Sequence, residues 1–218
     1  MNQPDELLAR IVNWLPLLLS LSVHEWAHAR AAFALGDDTA ARQGRLTLNP
    51  IAHIDLIGTV VLPLMGVPFG WAKPVPVNPT RFTRRISMRA GMMVTAAAGP
   101  LSNVALALIA TLSLTLIRFL APNLLFEMRG LLPFFTQAII VNLALAAFNL
   151  LPLFPLDGSR IVEGLVPYRF RANWEKFAQI SPFLLLVVAF GLPYIGINPF
   201  GWVGDVGRFM LSLALGFV

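Results

Sequence analysis

The sequence contains no cysteine among its 218 residues. This absence excludes disulfide bonds, thiolate metal ligands and a cysteine nucleophile, so any bound metal must be held by histidine and carboxylate side chains. Charged residues are also scarce, since they make up 12% of the chain while hydrophobic residues make up 57%. Soluble domains carry about 25% charged residues. The composition therefore excludes an ordinary soluble globule and indicates a single membrane-embedded domain, 1–218.

Long apolar segments predict an α-helical integral membrane protein with about four to five spans, since a spanning helix needs about 20 apolar residues. Glycine and proline recur between the first two spans, which predicts a re-entrant or short β-containing insert that lines a cavity. The predicted order is a first span at 7–35, the insert at 36–89, spans at 88–120 and 131–158, and C-terminal membrane segments at 180–218.

The net charge of +5 comes from basic residues that flank apolar segments. Juxtamembrane charges have this pattern, so nucleic-acid binding is not expected. If the first three spans cross the membrane and the fourth returns, twelve basic residues share one side and four share the other. The positive-inside rule then makes the first side cytoplasmic and places the second half of the first span toward it. The two groups are Arg30, Arg42, Arg45, Lys73, Arg81, Arg84, Arg85, Arg89, Arg160, Arg169, Arg171 and Lys176, against Arg10, Arg118, Arg129 and Arg208.

The first predicted span carries the sequence His24-Glu25-Trp26-Ala27-His28, a His-Glu-x-x-His motif. Helical residues four apart point within about 40° of each other, so both imidazoles can face one metal ion. Glu25 lies beside them, where it can accept a proton from an attacking water without binding the metal. A chance pentapeptide with core histidines is the alternative. It is disfavoured because ionisable residues inside a membrane are costly and usually functional.

A third ligand is needed, because a catalytic zinc ion usually has three protein ligands and no third histidine lies at helical spacing. Asp157 is the candidate carboxylate, since it follows an apolar run that Pro152 and Pro155 would end. Aspartate before glycine is also common in turns, so the residues alone leave both interpretations open. Another metalloprotease class would use a glutamate on a later helix, and Glu127 and Glu163 are available, although neither lies in a helical motif.

The motif helix and the later Leu156-Asp157-Gly158 segment together resemble the site-2 protease family of intramembrane zinc metalloproteases. The resemblance covers residues 20 to 165. It implies one Zn²⁺ per chain, held by His24, His28 and Asp157, with Glu25 as the catalytic base. It also implies hydrolysis of peptide bonds in or near transmembrane segments of other proteins, in regulated intramembrane proteolysis.

Two further polar residues match positions near the family's active site. Asn149 matches the asparagine that precedes the family's aspartate, with Pro152 also in place. Its amide could stabilise an oxyanion or bind substrate, and the alternative is a packing role. His53 lies in a segment similar to one found near the active site in compact family members. It could stabilise the oxyanion or orient a ligand, or it could be a structural histidine paired with Asp55 or a backbone carbonyl.

A second family-like segment is Gly99-Pro100-Leu101-Ser102-Asn103, which resembles the family's Gly-x-x-x-Asn pattern. Small residues there let helices approach closely, and Asn103 can form a hydrogen bond across them, so an architectural role is expected first. Asn142 lacks such a context and is expected to pack.

The segment Lys73-Pro74-Val75-Pro76-Val77 is unsuited to a helix. Pro74 and Pro76 remove N–H groups from one edge of an extended strand, while Val75 and Val77 keep theirs on the other edge. Such a strand could bind an unwound substrate segment by β-augmentation, and the alternative is a polyproline-like connector. The resemblance favours the strand, because a helical substrate hides its backbone carbonyls.

The expected partners are a transmembrane protein substrate, the lipid bilayer and, since no regulatory domain is evident, a regulatory membrane partner. The alternative function is a membrane protein that binds zinc without proteolysis, such as a transporter or an inactive protease. Glu25 disfavours it, because two histidines could bind metal without that carboxylate. A transporter should also show repeated broken helices, and none is evident.

Overall fold

Helices form nearly all the regular structure in a computed structural model of the chain, which describes residues 3–62, 65, 70–83 and 85–216, with side chains from residue 14 onward. No β-strand occurs within these ranges, so the predicted helical class is confirmed for the described residues. Arg84, one of the basic residues counted above, lies outside them. The helices are α1 (Gln3–Ala34), α2 (Thr39–Arg42), α3 (Met88–Leu120), α4 (Asn123–Glu127), α5 (Leu131–Asn149), α6 (Asp157–Leu165), α7 (Arg171–Leu186) and α8 (Gly201–Leu215).

Within the described part of the chain, three helical stretches are long and apolar enough to cross a membrane, namely Met88–Leu120, Leu131–Asn149 and Tyr168–Tyr194. The first two coincide with predicted spans. The third begins before the apolar run predicted near 180, because the polar residues ahead of that run also adopt helix. It consists of a 3₁₀ turn, α7, a π-helical turn at Val187–Gly191 and a final turn at Leu192–Tyr194. Hydropathy locates the apolar part of such a helix but not its polar beginning.

Small residues bring the central helices together. Helix α3 packs against α1, α5, α6 and α8. Ala29 and Ala32 of α1 are fully buried, as is Ala107 of α3. In a membrane, where apolar side chains gain little by leaving lipid, helices associate through close packing of small residues of this kind. The apolar core then continues from α3 to Ile139 of α5 and Met210 of α8.

Large apolar side chains cover the outward face of α3. Leu101, Leu108, Ile109 and Leu112 each expose more than half of their surface. Such a continuous apolar face is rare on a soluble monomer and marks a surface that contacts lipid or another protein. It agrees with the membrane location implied by the length and hydropathy of this helix.

Helix α6 is short, and both of its ends are held by neighbouring helices. At its start, a Cβ on Gly158 would collide with the carbonyl oxygens of Leu150 and Leu151, so glycine lets α6 begin directly against the end of α5. At its other end, the Arg89 guanidinium donates hydrogen bonds to the carbonyl oxygens of Glu163 and Val166. These carbonyls lack partners within the helix. Arg89 thus ties the end of α6 to the start of α3.

The Arg89→Met variant tests this cap. It should lower the free energy of unfolding by about 2 kcal/mol, because hydrogen bonds from a charged donor are worth about 1.5–3 kcal/mol and the carbonyls would lose their partner. Chemical unfolding in detergent micelles measures the change. Arg85→Met is the matched control, since Arg85 is exposed and lies four residues earlier. Equal stability of the two variants would contradict the cap.

Candidate metal centre

Two imidazole rings on α1 form the first half of the site. His24 and His28 lie one helical turn apart, so their side chains project from the same face, and both are buried. Their Nε2 atoms are 3.0 Å apart and their ring planes cross at 84°. The helix therefore places both imidazoles on the same face, as predicted.

A carboxylate from α6 completes the cluster. The Oδ2 atom of Asp157 lies 3.1 Å from His24 Nε2 and 3.3 Å from His28 Nε2. Among the described residues, these three side chains form a group whose potential ligand atoms all lie within 4.8 Å of one another. The structure thus brings together residues separated by more than 120 positions in the chain.

The hydrogen bonds on the outer side of the rings show that the cluster fits a cation. His28 Nδ1 lies 2.7 Å from the Thr95 carbonyl oxygen. A carbonyl can only accept, so Nδ1 of a neutral ring carries the proton and Nε2 keeps a bare lone pair. His24 Nδ1 is likewise 2.6 Å from Asn103 Oδ1. Two imidazole nitrogens and a carboxylate oxygen then point at each other, which is the ligand set that zinc takes in catalytic sites.

The same two rings leave no room for a side chain at Gly99 of α3. A Cβ at this position would collide with the imidazoles of both His24 and His28. The small residue was expected to let helices approach closely, and in the structure the two imidazoles fill the space beside it. Thr95, whose carbonyl binds His28, lies one turn earlier on the same helix.

The Glu25 carboxylate contacts the insert. Its Oε2 accepts a hydrogen bond of 2.8 Å from the backbone N–H of Val75. Glu25 therefore lies next to the metal-binding group in sequence but contacts the segment that was predicted to bind substrate. This contact orients the carboxylate toward that segment.

The segment around Val75 is held by buried polar side chains of the insert. The backbone N–H of Lys73 donates to the His53 carbonyl at 2.9 Å, and the Lys73 carbonyl accepts from Arg45 at 2.5 Å. Further along, the N–H of Asn78 donates to the buried Asp37 carboxylate at 2.6 Å. The segment is thus fixed at both ends and in its middle.

The prediction of a β-strand here is not confirmed in the described residues. Residues 71–78 have no regular secondary structure. Pro74 and Pro76 leave no donor on one edge, while the N–H groups of Lys73 and Val75 are bonded to His53 and Glu25 instead of to a neighbouring strand. A strand needs a partner ladder, and this segment has none within the described part of the chain.

The other described parts of the insert include short helical turns, three of which are capped by the side chains of Asn49, Asp55 and Asn78. The turns are α2, a 3₁₀ turn at Pro50–His53, a π-helical turn at Leu56–Val61 and a 3₁₀ turn at Pro79–Arg81. Asp38, exposed at the start of α2, binds Arg42 at 2.7 Å and also Arg81. The Arg42 guanidinium, with Arg81, holds the pKa of the Asp38 carboxyl below its ordinary value, although partial desolvation opposes this.

Two other predicted site residues lie outside the cluster. His53 is buried, and its Nε2 lies 2.8 Å from the Thr47 carbonyl, which is the backbone-carbonyl contact considered for a structural histidine. Asn149 donates from Nδ2 to the carbonyl of Leu145 in its own helix at 3.0 Å. Neither belongs to the potential metal-binding group of the described residues.

The two glutamates considered as alternative ligands also lie elsewhere. Glu163, in the last turns of α6, forms an ion pair of 3.2 Å with Arg160. Glu127 is exposed at the end of α4.

Sequence reasoning missed the groups that orient the site residues. The Thr95 carbonyl and the Val75 N–H are backbone atoms, which every residue type carries, so no motif could reveal them. Asp37 and Arg45 are buried in the structure, and charged residues are rarely buried unless they are paired. The sequence did not show their burial, so their role in holding the insert could not be predicted.

Comparisons with known proteins agree on one family. Residues 120–192 match the model of "Peptidase family M50". Over 178 residues the chain is 46% identical to "Putative zinc metalloprotease YwhC" of Bacillus subtilis (strain 168), covering 81% of this chain and 78% of that protein. It is 28% identical over 208 residues to "Putative zinc metalloprotease Rip2" of Mycobacterium tuberculosis (strain ATCC 25618 / H37Rv), covering 94% and 73%. No solved structure matches the chain.

The Gly99→Ala variant tests the contact between α3 and the two imidazoles. Zinc affinity should fall by about 10- to 100-fold, the usual effect of disturbing the surroundings of metal ligands. Zinc retained against a competing chelator in detergent solution measures the change. Gly91→Ala is the matched control, because its Cβ would meet the Phe82 ring and not the site. Equal zinc retention by both variants would contradict the expected collision.

Proposed function

The chain belongs to peptidase family M50 and is an intramembrane zinc metalloprotease, and on this premise we propose that it hydrolyses peptide bonds in or near transmembrane segments of other proteins. In this proposal His24, His28 and Asp157 hold the zinc ion and Glu25 is the catalytic base. The observation that carries the assignment is the convergence of two imidazole Nε2 atoms and one carboxylate oxygen within 4.8 Å.

The roles of the side chains follow from their chemistry. A zinc ion at this site supplies Lewis-acid activation of the scissile carbonyl and of a water molecule. Glu25 accepts the proton that the water loses as it attacks, and then gives it to the departing amine. Glu25 is suited to both steps because it follows His24 directly and its carboxylate is oriented by the N–H of Val75.

The substrate is proposed to bind along 73–77. The backbone groups of Val75 and Val77 share one edge of an extended chain, because residues two apart point the same way. Since the N–H of Val75 faces Glu25, a peptide that pairs along this edge would run past the catalytic carboxylate. The carbonyl of Val75 and the N–H of Val77 form no hydrogen bond with other described residues, so both could pair with a substrate backbone.

His53 and Asn149 take supporting roles in this proposal. His53 positions the substrate segment through its carbonyl, which accepts from the N–H of Lys73. Asn149 precedes Asp157 by eight residues at the end of α5. Its amide would serve as an oxyanion or substrate donor after turning away from the Leu145 carbonyl that it now contacts.

Orientation and control are also proposed from the sequence. The excess of basic residues on one side of the predicted topology places the active site toward the cytoplasmic half of the membrane, within a fold of four to five spans. Release of a regulatory fragment from the substrate, under the control of prior trimming or a membrane partner, fits the family. Zinc binding without proteolysis is not favoured, since the relatives are named as metalloproteases.

The Glu25→Gln variant tests the base. It should keep zinc, because Glu25 is not among the converging ligand atoms, and should lose at least about 100-fold in cleavage, the lower range for removing a general base. Cleavage of a generic single-span substrate in proteoliposomes and the zinc content of the purified protein are the two measurements. Normal cleavage by Glu25→Gln would refute this mechanism.

Asp157→Ala distinguishes the ligand from the base. This variant should lose both zinc and cleavage, since only two protein ligands would remain. Full zinc occupancy and normal cleavage in this variant would show that another residue is the third ligand. Full zinc occupancy and normal cleavage in both variants would leave the proposed site without support.

The Val75→Pro variant tests the substrate edge. Removing the N–H that faces Glu25 should lower cleavage by about 10-fold or more, since one positioned hydrogen bond is worth at least about 1.4 kcal/mol in a desolvated site. Val75→Ala is the matched control, because it keeps the N–H and removes only side-chain atoms. If both variants cleave equally while retaining zinc, the backbone of Val75 has no part in catalysis.

A further inference from the structure

A line of buried amides on two helices leads to one of the proposed metal ligands on a third. Asn103 of α3 and Asn142 of α5 are almost completely buried, with 0% and 3% of their surfaces exposed. Asn103 Oδ1 lies 2.6 Å from His24 Nδ1, and Asn103 Nδ2 lies 2.9 Å from Asn142 Oδ1. Asn142 Nδ2 in turn donates to the carbonyl of Ala138 at 2.8 Å. The line therefore runs from a backbone carbonyl to the imidazole.

The backbone carbonyl sets the direction of every hydrogen bond in this line. The oxygen of Ala138 can only accept, so the NH₂ group of Asn142 must face it and the Asn142 oxygen must face Asn103. Asn103 then has to donate to Asn142, which leaves its oxygen toward His24. An oxygen at that place can only accept, so the proton of the neutral ring lies on Nδ1.

We propose that Asn142 and Asn103 are positioning residues that fix His24 in the tautomer whose Nε2 is free to bind the metal. The opposite orientation of the Asn103 amide would present NH₂ to Nδ1, move the ring proton to Nε2 and place an N–H between the ligand atoms. This inference rests on the assignment of His24 as a zinc ligand and extends it from the ligand to residues on two other helices.

Helix packing alone does not account for this arrangement. An asparagine that only fills space in a membrane helix could be replaced by leucine with little loss of stability. Here each amide N–H group in the line faces an acceptor, and each amide oxygen faces a donor. His28 obtains the same tautomer directly from the Thr95 carbonyl. For His24 the acceptor is instead the Asn103 side chain, whose amide donates to Asn142. The Ser20 carbonyl, 3.5 Å from Asn103 Nδ2, is a weaker second acceptor.

A double-mutant cycle separates this role from packing. Asn142→Leu should lower zinc affinity by about 10-fold, the lower end for outer-shell partners, since the Asn103 amide can then turn. In a chain that also carries Asn103→Asp, the same Asn142→Leu change should cost less than about 3-fold, because a carboxylate accepts from Nδ1 in either orientation. Competition with a zinc chelator measures both. Equal losses in the two backgrounds would overturn the relay and assign Asn142 to packing.

Thr111→Val is the matched control for this cycle. Thr111 donates to the Ala107 carbonyl in its own helix at 2.8 Å, so the variant removes one hydrogen bond of α3 outside the line. It should keep native zinc affinity. A loss of zinc equal to that of Asn142→Leu would show that any polar deletion in α3 or α5 disturbs the site, and would also overturn the relay.

Nitrogen NMR provides a test whose readout comes from the unmutated protein. The chain has just three histidines, so a ¹⁵N-histidine-labelled sample in detergent gives a spectrum that can be assigned with His→Gln variants. In the metal-free protein, titrated until the rings are neutral, His24 should carry its proton on Nδ1. A proton on His24 Nε2 would overturn the relay whatever the zinc content. Failure of the metal site itself would appear separately, as native zinc binding in Asp157→Ala.

Discussion

The contact between the two imidazoles of α1 and the glycine-containing face of α3 is the constraint on which the site depends. His24 and His28 occupy the space that a side chain at Gly99 would fill. The same face supplies the acceptors for both Nδ1 atoms, from Thr95 and Asn103. If α3 lay farther away, the rings would lose these acceptors and their Nε2 atoms would no longer be directed at Asp157.

Helix α6 and the insert supply the other groups of the proposed site. Helix α6 brings Asp157 to the imidazoles because Gly158 lets its first turn pack against the end of α5. At its other end, Arg89 donates hydrogen bonds to its last carbonyl groups. The insert brings the backbone of Val75 to Glu25. The proposed ligands and base are thus held by helices, while the proposed substrate segment is held by the buried polar side chains of an irregular insert.

How far the sequence could predict this site depends on the kind of group concerned. His24, Glu25 and His28 could be found because their roles require particular side chains at helical spacing. Asp157 remained ambiguous until its motif was compared with a family, since an aspartate before glycine also suits a turn. The edge strand is not confirmed, because the pattern of prolines shows which N–H groups are missing but not what the remaining ones bind. Asn142 was expected only to pack, since nothing near it in sequence marks its partners.

The sequence by itself determined the helical membrane class, the residue types available for a metal and the facing of two histidines on one helix. Those features follow from composition and from helical periodicity, which act between near neighbours. Only the tertiary structure decided which carboxylate meets the histidines, what orients each ring and where Glu25 points. These depend on contacts between residues far apart in the chain, often through backbone atoms that every residue shares. Periodicity cannot encode such contacts, because they arise from the packing of whole helices.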